Sequence, residues 1–234
     1  MKLALPKSNS WRLDLCFICN KPLTEAITFP EDGVSFCKSC FRTAPCSSCF
    51  LPCGPKHRKL TDGRIICNTC HSIALITPRQ LIPMYELTLK FFKRKLKMKL
   101  KEHPRLKVVD TRYLQTLGCP TGTWGLYLRT PGEEAIYILN GIPSDQSLIT
   151  LAHELTHYWQ RLNCPPNQSL ELIEGFAIWV AYKLASYKNL ERAMLGMRRN
   201  IAEPYFTGLR KMLFLEQKLG TKGTVKLAKQ ALSL

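Results

Sequence analysis

Apolar and polar positions alternate on two different scales along this chain. Between residues 14 and 75 the apolar runs are short and are broken by Cys, Gly and Pro; from about 78 onward they lengthen and become periodic. Leu81, Tyr85, Leu89, Phe92, Leu96 and Leu100 recur at steps of three and four, the period of one helix face. Pro78 suits the first turn of such a helix and His103-Pro104 falls past its end, which predicts a helix from Pro78 to about Lys101. The stretch 106–140 has strand character. Thr123 to Arg129 and Ala135 to Leu139 are its clearest runs, joined by the turn sequence Thr130-Pro131-Gly132-Glu133. A helix is then predicted from about Asp145 to Leu162, with Ser144 as N-cap and Cys164-Pro165-Pro166 as its stop. A second is predicted from about Ser169 to Tyr187. The remainder is mostly helical, with interruptions near Pro204 and at Gly220-Thr221-Lys222-Gly223.

The first segment contains an internal repeat. Cys16-x2-Cys19 is followed after seventeen residues by Cys37-x2-Cys40, and Cys46-x2-Cys49 after the same interval by Cys67-x2-Cys70. Each of the first four cysteines recurs thirty residues later. Asp32-Gly33 and Asp62-Gly63 are matching hairpin signals. Each CxxC presents two sulfurs from one tight turn, and zinc favours a closed tetrahedron of thiolates. A module of about thirty residues buries too little surface to fold alone, so the metal would supply the missing free energy. Two structural zinc ions are therefore expected, in Cys16, Cys19, Cys37, Cys40 and in Cys46, Cys49, Cys67, Cys70. His71, Cys53 and His57 lie close enough in sequence to substitute at the second site, whereas Cys119 and Cys164 read as ordinary thiols. The pattern resembles a LIM domain, a tandem zinc module that usually binds proteins. It departs from it at Cys37, commonly a histidine, and in the five residues between Cys40 and Cys46.

Composition narrows the setting. The chain has 234 residues and eleven cysteines, an odd number that argues against a disulfide framework. Met1 to Trp11 lacks the apolar run of an export signal, and no uncharged apolar stretch is long enough to span a membrane, so a cytoplasmic, non-membrane protein is expected. Two four-thiolate zinc sites at −2 each and one further zinc at +2 lower the formal charge of +17 to about +15. Lys90, Lys93, Arg94, Lys95, Lys97, Lys99 and Lys101 crowd the polar side of the first long helix. They read as a solvated face, or as a surface for an acidic protein partner.

The chemistry lies further on. His153-Glu154-Leu155-Thr156-His157 has the HExxH spacing, in which two imidazoles one helical turn apart reach one ion and the intervening carboxylate lies beside the open position. Its neighbours Ile149, Leu151, Ala152, Leu155, Tyr158 and Trp159 are apolar, a setting in which unpaired polar groups are costly. No histidine follows His157, and Asn163 stands where an extended HExxHxxGxxH motif needs its last one. The remaining donors are Glu171 and Glu174 on the next helix, three apart and on one side. The reading favours Glu174 as third ligand to a catalytic zinc, with Glu171 orienting a zinc-bound histidine. Gly175, with Ala177, Ala181 and Ala185, would let this helix pack closely on the first. Glu154 is then the general base and Tyr205 a candidate donor to the oxyanion. The expected substrate path is the edge of the small sheet, along Ala135 to Leu139.

Ile136 to Pro143, the HExxH helix continuing as Tyr158-Trp159-Gln160-Arg161-Leu162, and Glu174-Gly175 resemble the plant LIM-domain peptidases that restrict organ growth. The resemblance implies a gluzincin-type peptidase with a glutamate third ligand acting on proteins. The fifteen residues before Cys16 leave no room for the ubiquitin-interacting helices of those proteins, so ubiquitin activation is not implied. The expected organisation is α+β: a LIM-like double zinc module at 14–75, a basic amphipathic helix at 78–103 that is either a linker or the start of the peptidase domain, and a zincin-like peptidase domain at 104–234. Two other functions compete. A nucleic-acid-associated protease would explain the charge but generally carries three histidines, which disfavours a nucleic-acid partner; a zinc-module adaptor would have no use for Glu154.

Overall fold

The computed structural model describes residues 15–29, 33–190, 193–194, 197 and 204–234. The chain divides into one unit ending at Ser72 and another from Ile73 to Leu234. The expectations for Met1 to Trp11 and for Asp32 fall outside the described residues.

In the first unit the backbone repeats at the offset of the cysteines. Strands β1 (Ile27–Phe29) and β2 (Val34–Phe36) pair antiparallel, as do β3 (His57–Lys59) and β4 (Ile65–Cys67). Short helices α1 (Lys38–Phe41) and α2 (Asn68–Ser72) follow and carry Cys40 and Cys70. The N–H groups of Asn20 and Phe50 donate to the carbonyls of Cys16 and Cys46, both at 2.9 Å. Phe17 N–H donates to Ser35 O and Ser47 N–H to Ile65 O, both at 2.8 Å. Asn20 and Phe50 each adopt the left-handed conformation that closes the knuckle, at φ 59° and 62°. Asn tolerates this; for Phe50 it costs about 1–2 kcal/mol. Phe36 and Ile66, also thirty apart, are the fully buried side chains on the two hairpins.

The second unit is built around one strand. β5 (Arg105–Val109), β6 (Gly125–Thr130) and β7 (Glu133–Leu139) form a sheet of order β5-β7-β6, parallel between β5 and β7 and antiparallel between β6 and β7. Ala135 to Leu139 are all buried, as befits a continuous apolar run covered on both faces. That run is therefore the central strand and not the edge expected above; the edge facing the next helix is β6. The 106–140 stretch is also not all strand. Thr111–Thr116 forms helix α4, started by Asp110, whose Oδ1 accepts from Tyr113 N–H at 2.9 Å.

Helix α3 (Pro78–Phe91) begins at the expected proline, but its regular part ends ten residues before Lys101. Phe92–Leu96 widens into a π-helical turn, and Lys97 closes it at φ 57°. The wider turn brings Phe92, Leu96 and Met98 into the core, where all three are almost wholly buried. That burial offsets the loss of helical regularity. Among the cations of this turn, Lys95 lies 5.0 Å over the Tyr187 ring.

β7 turns through Gly141 (φ 73°) into helix α5 (Ser144–Asn163). Ser144 is the first helical residue and not the cap. Pro143 occupies the cap position, and Ser144 N–H is already satisfied by Ile73 O at 2.8 Å. Helix α6 (Leu170–Tyr187) is capped by Ser169, whose hydroxyl accepts from Leu172 N–H. It packs on both α5 and α7 (Tyr205–Ala228), the latter broken at Gly220, which has φ 67°. A Cβ on Gly175 would lie 2.8 Å from Gly208 Cα, so the close approach made by this glycine is to α7. Trp159, Tyr158, Phe176 and Trp179 fill the core that holds α5 and α6 in place.

Candidate functional site

Among the described residues, three groups of side chains converge tightly enough to hold a metal ion: Cys16, Cys19, Cys37, Cys40; Cys46, Cys49, Cys67, Cys70; and His153, His157, Glu174. In each, all donor atoms lie within 4.8 Å of one another. Among these groups neither His71, His57 nor Cys53 stands in for a cysteine.

The sulfur geometry fits zinc. Tetrahedral thiolates at ordinary zinc–sulfur bond length stand about 3.8 Å apart. The Cys19–Cys37 and Cys49–Cys67 sulfurs are each 3.9 Å apart. Ionisation within the groups points the same way. Burial opposes ionisation of Cys16, but backbone N–H groups and Cys19 bring its pKa down; the Ser39 hydroxyl lowers Cys37 to about 6. Burial pushes Cys40 up to about 12. In the second group Cys46 and Cys67 are lowered while Cys49 and Cys70 are raised, through their mutual hydrogen bonds. Crowded thiols cannot all carry charge together, and a divalent cation removes that conflict. Cys53, buried beside this group, is pushed up to about 12 by burial and by the charges of Cys46 and Cys67.

The third group is built by two helices. His153 and His157 lie one turn apart on α5, with Nε2 atoms 3.0 Å from each other. Glu174 on α6 brings Oε2 to 3.2 Å from His153 Nε2 and 3.5 Å from His157 Nε2. A tetrahedral ion with bonds of about 2.0–2.1 Å separates its ligands by about 3.3 Å, close to all three values. Glu174 Oε2 is buried and has no well-aligned hydrogen bond, so it is an orphaned acceptor that a cation would satisfy. Burial opposes its ionisation, but the two imidazoles hold its pKa well below the ordinary carboxylate range. His157 is correspondingly raised: burial disfavours its charge, and Glu174, the charge of Glu154 and the Gln160 hydrogen bond together outweigh that.

Around these three donors the arrangement departs from expectation at Glu171. Its Oε2 accepts from Lys211 Nζ at 2.9 Å on α7, so it does not orient a histidine. Gln160 takes that place. Its Oε1 lies 3.0 Å from His157 Nδ1, and its Nε2 donates to Ile173 O at 2.9 Å. This fixes the proton on Nδ1, leaves Nε2 free to ligate and ties α5 to α6. A polar residue three positions after His157 on a buried helix was the available signal.

Glu154 is 8% exposed, and its Oε2 accepts from Tyr127 N–H on β6 at 2.8 Å. Tyr205, the first residue of α7, brings its ring centroid to 5.9 Å from that of His153. Burial raises its pKa, and the charges of Glu174 and Glu154 raise it further, so the hydroxyl keeps its proton. Cys119 is raised by burial and by the charge of Glu154; Cys164 is pushed up to about 11 by burial. Both remain protonated thiols. No helix among the described residues is long and apolar enough to cross a membrane.

The chain matches no protein-family model, no curated protein and no solved structure.

Proposed function

We propose that the second unit is a zinc-dependent peptidase of gluzincin type, with His153, His157 and Glu174 as the metal ligands and Glu154 as the general base. The observation that carries the reading is the convergence of three neutral-or-anionic donors on one point, with a fourth, non-ligating carboxylate held beside it. A metal kept only for folding would have a closed ligand set and no need of that carboxylate. When bound, zinc supplies Lewis acidity, which acidifies water and polarises a peptide carbonyl.

Glu154 accepts a proton from the attacking water at a carboxylate oxygen and returns it to the leaving amine. Tyr205, protonated and beside His153, donates to the developing oxyanion. The peptide lies extended along the outer edge of β6, because β7 is the inner strand. Trp124 O already accepts from Leu139 N–H at 2.8 Å toward β7, while the Tyr127 amide is turned the other way, toward Glu154.

The first unit is a LIM-like double zinc module that recruits protein substrates or partners, and the cations after α3 favour acidic ones. Eleven free cysteines fit the reducing cytoplasm.

A proteome-wide cleavage comparison between wild type and Glu154→Gln tests the reading. The variant retains three zinc ions per chain and produces no cleavage, since Gln keeps the shape but accepts no proton. Equal cleavage by the two proteins overturns the peptidase reading and leaves the adaptor.

A further inference from the structure

A base on a helix does not choose its own aim. The backbone of α5 sets where Glu154 starts, but its carboxylate has several rotamers, and catalysis needs one of them. The neighbouring strand β6 supplies what selects it.

Gly125 makes the approach of that strand. A Cβ there would stand 2.5 Å from Thr150 Cγ2 and 2.9 Å from both Cγ and Oε1 of Glu154, so any side chain would displace the carboxylate. Two residues on, the Tyr127 amide donates to Oε2 at 2.8 Å. One oxygen is thus held by a hydrogen bond, and the space around the other is set by the missing side chain.

An amide on an edge strand fixes a carboxylate only as firmly as the strand itself is fixed. Here the side chain of the same Tyr127 is clamped back onto α5. Its hydroxyl donates to Glu134 on β7. Arg161 Nε donates to the Tyr127 oxygen at 2.8 Å, and Arg161 Nη2 donates to Glu134 Oε2 at 2.9 Å. Arg161 Nε also stands 2.6 Å from Glu134 Oε1, making the pair a two-pronged one. The Tyr127 ring meets Tyr158 edge-on at 5.9 Å, and the Arg161 guanidinium lies 5.4 Å over Tyr158. Glu154, Tyr158 and Arg161 share one face of α5 at intervals of four and three, so helix and strand run alongside each other through the contact.

We propose that Gly125, Tyr127, Glu134 and Arg161 are positioning residues for Glu154, joining α5, β6 and β7 into a frame that aims its carboxylate. The proposal rests on the reading of Glu154 as the base. None of the four touches the metal ligands, so their loss separates aim from metal binding.

Amide hydrogen exchange and turnover, measured on zinc-replete full-length protein, test this together. In wild type the Tyr127 amide exchanges slowly. In Arg161→Met and in Gly125→Ala its exchange accelerates by about tenfold or more, while the Leu139 amide of β7, bonded to Trp124 just before β6, stays protected. Zinc content remains three per chain. Turnover falls by about tenfold or more with KM nearly unchanged, the mark of an interaction used in the transition state. Arg161→Lys restores part of both effects.

Wild-type Tyr127 protection and turnover in both variants overturns the proposal. So does equal loss of protection at Leu139, which shows a merely structural role. If Arg161→Met does not fold, Tyr127→Phe, which keeps the amide and removes only the hydroxyl, gives the same readout. Glu154→Gln separates the two levels. Cleavage by that variant at the wild-type rate removes the peptidase reading, whereas the exchange data still decide whether the frame holds the residue.

Discussion

The two units assemble their metal-capable donor groups in opposite ways. In the first, all four donors of each group come from hairpins and knuckles within about twenty-five residues, and among the described residues of those hairpins the large, fully buried side chains are Phe36 and Ile66. In the second, three donors come from two long helices already held by a core of Trp159, Tyr158, Phe176 and Trp179. Each thiol group offers four donors, enough to close a tetrahedron around an ion; the His-His-Glu group offers three. A site that supplies folding free energy uses every coordination position for protein. A site that does chemistry needs a fold that stands without it.

The largest consequence is under chelation. Stripping all metal should unfold the first unit completely, because structural zinc contributes about 10–16 kcal/mol in comparable small modules. The second unit should keep its helices. Exchange mass spectrometry resolved by unit checks this, starting from a stoichiometry of three zinc ions; loss of protection throughout α5 and α6 would show that the contrast is false.

Next comes ligand loss within the open site. Glu174→Ala should lose one zinc and keep two, read by elemental analysis. Gln160→Ala should weaken the third metal by about 10–100-fold through the freed His157 ring. Glu171→Ala should change it little, since that carboxylate faces Lys211 in a partly exposed pair. Emptying of the site by Glu171→Ala with retention in Glu174→Ala would reverse the ligand assignment.

A smaller effect tests the scaffold. Gly208→Ala forces a methyl against Gly175 Cα at 2.6 Å and should destabilise the second unit by about 1–3 kcal/mol, the usual cost of overpacking. The thermal midpoint of the second unit should fall while the first unit's metal content is unchanged.

The smallest is a pH dependence of the metal-stripped second unit. Glu174 has a lowered pKa, so its contribution is present above the ordinary carboxylate range and is lost as pH falls through its lowered value. His157 has a raised pKa, so its contribution is full below the ordinary imidazole value of 6.5 and is lost as pH rises through its raised value. Stability should therefore be greatest between these limits and decline on both sides, and zinc should abolish the alkaline decline by taking the place of the imidazole proton. Thermal melts across pH, with and without zinc, distinguish the two.

What the sequence determined by itself was whatever depends on short-range spacing. The thirty-residue repeat specified both thiol groups, since two residues between cysteines and one hairpin between pairs are local geometry. The spacing of His153 and His157 is likewise one turn of a single helix. Counting donors narrowed the third one to Glu171 or Glu174, with Glu174 favoured beside Gly175, and Glu174 is the carboxylate that the structure brings to those histidines.

What only the tertiary structure decided depends on which elements become neighbours. The unbroken apolar run of β7 implied a strand covered on both faces, but not which strands flank it; that follows from β5 and β6 pairing on its two sides. Glu171 and Glu174 are equivalent in helical spacing, and it is the approach of α7 at Gly175 and Gly208 that gives one to Lys211 and leaves the other to the histidines. Gln160, Gly125, Tyr127 and Arg161 gained their roles in the same way. Periodicity states which face of a helix is buried, but not what lies against it, because a contact between distant segments is fixed by packing of the whole core and leaves no local signature in either segment.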